Sequence, residues 1–333
     1  MSPIRALGQI FVVSACVCSL SAIAAPATTE FKTTIRIVDD FMIVVPVRIN
    51  GSGPYDFLLD TGSNHTILDQ KLTEELALRR GDQTPIVGVW GSVTSSAVFA
   101  DSFSIAGATV PGKDLVLFSY AEIRGLPPKV RGVLGEDFFQ KFDILIDYRH
   151  QVIRLETGPG LMVEMLRGEH LPIQLDGMMS GRQTLGRLIV TGQVKGLGDN
   201  SISLLLDSGS KEFTLFREDL GKGSEWHTFV DPSRPKSSSV TRLETRTVRS
   251  LKLGSSEISN IMVIAIAGKQ RPDVDGFMPT SLLRSIFISH QGKFVILNPS
   301  FAKAPAEDVR SRLAAKPLVI PPDLAEMSPP IGR

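Results

Sequence analysis

The stretch Phe57-Leu58-Leu59-Asp60-Thr61-Gly62-Ser63 recurs 147 residues later as Leu204-Leu205-Leu206-Asp207-Ser208-Gly209-Ser210. In each copy an apolar run, typical of a buried strand, ends at an aspartate. A small hydroxyl residue and a glycine follow, and the glycine permits a tight turn. Each copy also comes after a Gly-x-Gly sequence, 51–53 or 196–198, as expected for a hairpin that leads into the strand.

The repeat continues downstream of both aspartates. Gly132-Val133-Leu134-Gly135 and then Ile144-Leu145-Ile146 are echoed by Gly276-Phe277-Met278-Pro279 and then Ile286-Phe287-Ile288. Because the parts come in the same order in both halves, the sequence predicts two lobes of one fold. A pseudo-twofold axis between such lobes would place the two aspartate turns side by side.

Asp60 and Asp207 are the candidate catalytic residues. Two neighbouring carboxylates cannot both ionise cheaply, so they share a proton and titrate as a coupled pair. One can then take a proton from water while the other gives one to a substrate oxygen. A single Asp-Ser/Thr-Gly is an ordinary turn, but the extended pattern is expected by chance in roughly one chain of this length in a thousand, and twice far more rarely.

These motifs resemble aspartic proteases of the retropepsin and pepsin type, over roughly 32–299. The resemblance implies an all-β endopeptidase of two pseudo-twofold related acid-protease β-barrel lobes with short helices, an active cleft between the lobes and no metal or organic cofactor. It implies that Thr61 and Ser208 bond across the lobe interface and lock the turns that also contain Gly62 and Gly209. Ser63 and Ser210 would donate to the carboxylates and favour an acidic working pH.

Members of this family cover the substrate with a β-hairpin flap. Here Gly88-Val89-Trp90-Gly91 lies at a suitable distance after Asp60, and Trp90 is expected either to pack on the substrate or to belong to the core. An extended polypeptide would be held mainly by main-chain hydrogen bonds. At the matching distance after Asp207 the sequence Pro235-Lys236-Ser237-Ser238-Ser239 contains no glycine, which argues against a second flap. Pro279 in place of Gly135 predicts an altered second crossing.

Composition limits the class of protein. The chain has 333 residues, of which 42% are hydrophobic, enough for two packed domains. The 36 basic residues are balanced by 35 acidic ones, which argues against a nucleic-acid partner. Strands are predicted in short segments rich in Val, Ile and Phe, namely 33–38, 42–49, 57–59, 102–105, 144–147 and 152–155. Helices are predicted at 70–78, 136–141 and 280–285.

The N-terminus has the pattern of a secretory signal peptide over 1–24, with Arg5 before an apolar stretch that is too short to span a bilayer. An exported, periplasmic or secreted protein is therefore expected, and a lipid anchor on Cys16 is the alternative. Cys16 and Cys18 are the only cysteines, so the mature chain would have no thiol. The predicted units are an N-terminal lobe over 25–157, a connection over 158–186 that carries a strand of its own, a C-terminal lobe over 187–300 and a Pro/Ala-rich, loosely packed tail over 301–333.

Other chemistries find little support in the sequence. The five histidines are scattered without zinc-binding spacing, and His65 is expected to lie on the surface or behind the site. The leading interpretation is an aspartic endopeptidase, active as a monomer with both lobes in one chain. A catalytically inactive, protease-like module that binds peptides is the first alternative. A glycosidase with paired carboxylates is the second, and it is weaker because its acids rarely lie on repeated Asp-Ser/Thr-Gly turns.

Overall fold

Strands form nearly all of the regular structure, in agreement with the predicted all-β class. The structure is a computed structural model and describes residues 28–88, 91–115, 117–120, 126–158, 166–174, 177–179, 182–184, 187–196, 201–217, 227–229, 243–267 and 274–301. The predicted signal peptide, all but one residue of the predicted tail, and Val89 and Trp90 of the predicted flap lie outside these residues.

In chain order the first strands are β1 (Thr29–Thr34), β2 (Arg36–Val38), β3 (Met42–Ile49), β4 (Ser52–Leu59), β5 (Thr66–Asp69), β6 (Arg79–Gly88), β7 (Gly91–Phe99), β8 (Ser102–Ile105), β9 (Ala108–Pro111), β10 (Leu117–Tyr120), β11 (Val130–Leu134), β12 (Asp143–Asp147) and β13 (Val152–Thr157). The later strands are β14 (Leu166–Arg167), β15 (Leu171–Pro172), β16 (Gly177–Met179), β17 (Arg182–Thr184), β18 (Ile189–Lys195), β19 (Ser201–Asp207), β20 (Phe213–Arg217), β21 (His227–Phe229), β22 (Leu243–Leu253), β23 (Ser256–Ala267), β24 (Gly276–Pro279), β25 (Ser285–Ser289), β26 (Phe294–Leu297) and β27 (Ser300–Phe301). The α-helices are α1 (Gln70–Glu75) and α2 (Glu136–Phe139), and 3-10 helices span Gly112–Asp114 and Thr280–Leu282.

Each half of the chain builds one large sheet with the same plan. In the N-terminal sheet the order is β6-β7-β10-β5-β11-β4-β3-β8-β9, and in the C-terminal sheet it is β18-β19-β24-β20-β23-β22-β21. An additional pairing of β18 with β22 closes the C-terminal sheet into a barrel. The strand before each aspartate pairs in parallel with a later strand of its own half, β4 with β11 and β19 with β24. Both parallel pairings are present, although Pro279 replaces Gly135.

The two sheets differ in the continuity of their strands. In the C-terminal sheet β22 and β23 form one long hairpin of 11 and 12 residues. The N-terminal sheet has four shorter strands in the corresponding places, with β7 and β8 separated at 100–101 and β9 and β10 separated by the 3-10 helix Gly112–Asp114. Together β7 and β8 still make the contacts that β22 makes in the C-terminal sheet. β7 pairs with β10 as β22 pairs with β23, and β8 pairs with β3 as β22 pairs with β18.

A central six-stranded sheet joins the halves in the order β1-β13-β12-β25-β26-β15. At its middle the two echoed apolar segments pair with each other, with Ile144 opposite Ile288, Leu145 opposite Phe287 and Ile146 opposite Ile286. All six side chains are buried, at most 2% exposed. Burial of this much apolar surface stabilises the junction and holds the two large sheets in one arrangement.

The predicted helices are shorter than expected. The predictions at 70–78 and 136–141 correspond to α1 and α2, which end earlier. The prediction at 280–285 is wrong beyond Leu282, because Leu283 has extended backbone angles and Ser285 already belongs to β25 of the central sheet. The connection over 158–186 contains β14 to β17. Among the described residues, no helix combines the length and the apolarity needed to cross a membrane.

Candidate active site

Asp60 lies immediately after β4, at the start of a tight turn. Its backbone N–H donates to the carbonyl of Leu134 in β11 (3.0 Å), and its own carbonyl accepts from the N–H of Ser63 (3.2 Å). The Gly62 N–H donates to Asp60 Oδ1 (2.8 Å). Parallel pairing with β11 therefore sets where the strand ends, and the turn then orients one oxygen of the carboxyl group.

Asp207 has the same local geometry in the other half. It is the last residue of β19, opposite Pro279 of β24, and its Oδ1 accepts from the N–H of Gly209 (2.8 Å). Both aspartates are half-buried.

The structure brings the two turns together. A Cβ atom placed on Gly62 would lie 2.5 Å from Asp207 Cγ, and one placed on Gly209 would lie 2.6 Å from Asp60 Cγ. Real Cβ atoms do not approach other atoms so closely. Each carboxyl group therefore occupies the space that a side chain on the opposite glycine would need, and this explains why both turns contain glycine at that position.

Thr61 and Ser208 link the two turns by four hydrogen bonds. The Thr61 hydroxyl donates to the Leu206 carbonyl (2.9 Å) and accepts from the Ser208 N–H (3.1 Å). The Ser208 hydroxyl donates to the Leu59 carbonyl (2.9 Å) and accepts from the Thr61 N–H (3.0 Å). Both side chains are 1% exposed, so water does not compete for these bonds. The structure thus contains hydrogen bonds of Thr61 and Ser208 that connect the two turns.

The serines that close the turns donate to backbone carbonyls. Ser63 Oγ donates to the carbonyl of His65 (2.9 Å), and Ser210 Oγ donates to the carbonyl of Glu212 (3.0 Å). A hydroxyl group has one proton, which these two bonds use, and the expected donation from the serines to the carboxylates stays a prediction. In the structure both hydroxyl groups stabilise the backbone just after each turn.

The predicted flap corresponds to the hairpin of β6 and β7, in which Gly88 pairs with Gly91. In the C-terminal half, β21 pairs with the start of β22. The segment 230–242 between them, which contains Pro235 to Ser239, lies outside the described residues, so the expectation of no second flap stays a prediction.

His65 is half-buried behind the Asp60 turn, where its ring meets the edge of Phe118 with 5.2 Å between centroids. Burial lowers the pKa of this histidine, which favours the neutral ring. Within the described part of the chain, no group of three or more His, Cys, Asp or Glu side chains could hold a metal ion.

Sequence reasoning missed two side-chain pairs, one buried and one partly buried, that join the halves near the aspartates. Glu136 Oε2 lies 2.9 Å from His290 Nε2, and Tyr148 Oη lies 2.5 Å from Thr280 Oγ1. Glu136 and Thr280 begin the short helices that follow Gly135 and Pro279, and Tyr148 and His290 directly follow β12 and β25. The pairs therefore occupy corresponding places. The only sequence signal for these pairs is that Glu136 and His290, both ionisable, directly follow the largely apolar segments 132–135 and 286–289.

Among the comparisons with known proteins, a family model matches the part of the chain that contains the Asp60 turn. No curated protein matches the chain. A solved structure of a retropepsin-like aspartic protease from Rickettsia conorii is similar at 16% identity, over 39% of this chain and 94% of that chain, with a TM-score of 0.29. Residues 45–138, which run from β3 to α2 and include the Asp60 turn, match the family model described as "Aspartyl protease".

Proposed function

We propose that the chain is an aspartic endopeptidase in which Asp60 and Asp207 together activate a water molecule. One carboxylate takes a proton from the water as it attacks a peptide carbonyl, while the other carboxylic acid donates a proton to the carbonyl oxygen. The packing of each carboxyl group against the opposite glycine carries this proposal, because two acids held against each other's turns are expected to reach one water molecule. The family match over 45–138 supports it for the first turn.

The proposed organisation is bilobal, with the N-terminal lobe at 25–157 and the C-terminal lobe at 187–300. An extended polypeptide would lie between the hairpin of β6 and β7 and the aspartates, with Gly88, Val89, Trp90 and Gly91 forming the covering tip. No metal or organic cofactor takes part in this mechanism. The protein would act as a monomer after export and removal of 1–24, in the periplasm or outside the cell.

The test compares Asp60→Asn and Asp207→Asn with the wild-type protein on an unstructured protein substrate, from pH 3 to 8. Asparagine keeps the shape but cannot exchange the proton, so each variant is expected to lose cleavage by at least about 10³-fold with the fold intact. Asp147→Asn is a matched control, since Asp147 is also a half-buried aspartate at a strand end but bonds His150.

Three results would change the conclusion. Near-normal turnover in either asparagine variant would contradict the paired mechanism. A peptide that binds wild-type protein but is never cut would favour the inactive peptide-binding module. Loss of activity on treatment with a chelator would indicate a metal, whereas a statine-type transition-state inhibitor is expected to bind wild-type protein and not the variants.

A further inference from the structure

The main chain of Glu136 is attached directly to the Asp60 turn. The Glu136 N–H donates to the Ser63 carbonyl (2.8 Å). Two residues before Glu136, the Leu134 carbonyl accepts from the Asp60 N–H. Gly135 lets this approach happen, because a Cβ atom there would lie 2.6 Å from the His65 carbonyl oxygen. A movement of Glu136 would therefore be transmitted to Asp60.

The side chain of Glu136 points to the other half of the molecule, where it meets His290. The side chains are 1% and 4% exposed. His290 Nδ1 lies 2.6 Å from the Phe142 carbonyl, which can only accept, so Nδ1 carries a proton. The contact between Nε2 and Glu136 Oε2 then needs one further proton, held by either partner.

The surroundings of His290 favour its charged form when Glu136 is ionised. The ionised Glu136 and the Phe142 carbonyl raise the pKa of His290 despite its burial, with a smaller contribution from Asp143. Asp143 also anchors the backbone on both sides of the histidine, accepting from Ser289 Oγ (3.0 Å) and Gln291 N–H (3.2 Å). The ring therefore contacts the carboxyl group of Glu136 directly and interacts with Asp143 electrostatically.

Glu136 also interacts electrostatically with Asp60. Burial raises the pKa of Glu136, His290 opposes this effect, and the charge of Asp60 adds to it. Since repulsion is mutual, an ionised Glu136 makes it harder for Asp60 to lose a proton. Its Oε1 is buried without a hydrogen-bond partner among the described residues, so this charge is incompletely neutralised. The neighbouring Asp137 faces away, toward Thr66.

The corresponding place near Asp207 carries no such charge. There the buried Tyr148 hydroxyl meets the Thr280 hydroxyl, and burial raises the pKa of Tyr148, so the pair is neutral throughout the ordinary pH range. The two aspartates thus have equivalent turns but different electrostatic surroundings.

We propose that Glu136 and His290 form a positioning pair for Asp60. The pair ties the Asp60 turn to the C-terminal half, and the negative charge of Glu136 beside Asp60 sets the upper pH limit of activity. The pair biases the shared proton of the two aspartates toward Asp60 and leaves Asp207 as the ionised member. This inference rests on the proposed peptidase function.

The first experiment measures kcat/KM against pH for wild-type protein, Glu136→Gln and Tyr148→Phe. Glutamine can donate to Nε2 of a neutral His290 ring, so this variant loses both charges of the pair. Because Asp60 interacts with the charge of Glu136, the pH at which activity falls on the alkaline side is still expected to decrease, by about 0.5 to 1 unit. Glu136→Asp, which keeps a charge, is expected to restore part of this shift. Tyr148→Phe removes the corresponding neutral contact, so it is expected to lower stability without moving the limit.

The second experiment needs no variant of the pair. In wild-type protein labelled with ¹⁵N-histidine, the His290 ring is expected to remain an imidazolium ion to a pH above the ordinary value of 6.5. This measurement applies even if Glu136→Gln does not fold.

Several outcomes would overturn the inference. They are an unchanged alkaline limit in folded Glu136→Gln, an equal shift in Tyr148→Phe, and a neutral His290 ring at pH 6.5. If the limit is unchanged in Glu136→Gln or shifts equally in Tyr148→Phe, while wild-type protein cuts its substrate and Asp207→Asn does not, the positioning role fails and the peptidase function stands. If wild-type protein cuts nothing at any pH, the peptidase function fails.

Discussion

The carboxyl group of Asp207 lies against Gly62 of the opposite turn, where a Cβ atom would be 2.5 Å from Asp207 Cγ. We therefore expect Gly62→Ala to displace the carboxyl group and to reduce kcat at least about 10²-fold, since misplacement of a reacting group by about 1 Å has effects of that size. Cleavage of an unstructured protein, with kcat and KM measured separately, checks this prediction.

Gly51→Ala is the control for that substitution. Gly51 has a positive φ of 78° but nothing within 4 Å of an added Cβ atom, so alanine is expected to cost about 1 kcal/mol of stability without changing kcat. An active Gly62→Ala enzyme would show that the carboxyl groups are not held in this arrangement.

The hydroxyl group of Thr61 makes two of the four bonds that link the aspartate turns. Thr61→Val has nearly the same shape but leaves the buried Ser208 N–H without its acceptor. We expect a loss of about 1 to 3 kcal/mol in the free energy of unfolding, measured by urea denaturation, together with reduced activity. Thr109→Val is the matched control, because the exposed Thr109 hydroxyl bonds only within its own turn and its loss is expected to change stability by less than about 0.5 kcal/mol.

Stability should decrease toward alkaline pH because of His290. Its pKa is raised in the folded protein, so the folded state holds a proton that the unfolded chain releases earlier. The resulting stabilisation is fully present below pH 6.5 and is lost as the pH rises through the raised value. Glu136, whose pKa is also raised, contributes with the same sign.

Urea midpoints of wild-type protein between pH 5 and 9 check this prediction, and Tyr148 stays protonated over that range because its pKa is raised. In Glu136→Gln the decrease is expected to be smaller, since the partner that holds the proton on His290 is gone. A wild-type midpoint that rises from pH 7 to 9 would contradict the expected direction of the pH dependence.

Asp137 is a completely buried acid that is predicted to be structural. It accepts from the Thr66 N–H (3.1 Å), the Thr66 hydroxyl (2.7 Å) and the Phe138 N–H (3.0 Å). Asp137→Ala would leave these donors unsatisfied and is expected to cost about 2 to 4 kcal/mol, with a smaller cost for Asp137→Asn. If Asp137→Ala kept its unfolding midpoint and lost only activity, this residue would belong to the chemistry.

Much of the fold could be predicted from local patterns. The apolar runs before Asp60 and Asp207 form β4 and β19, and the echoed segments Ile144–Ile146 and Ile286–Ile288 form strands, because runs of β-branched and apolar residues between turn residues have few other stable conformations. The helix predicted at 280–285 was wrong at its end because β25 pairs with the central sheet, a contact between residues far apart in the chain.

By itself, the sequence determined the repeat, the β-rich class and the two Asp-Ser/Thr-Gly turns, since these depend on residues that are neighbours along the chain. Only the tertiary structure decided which atoms meet across the halves. In the folded chain the hydroxyls of Ser63 and Ser210 donate to backbone carbonyls, and Glu136 contacts His290, which is 154 residues away. The physical reason is that a hydrogen bond requires two groups within about 3 Å, and strand pairing rather than local sequence sets that distance.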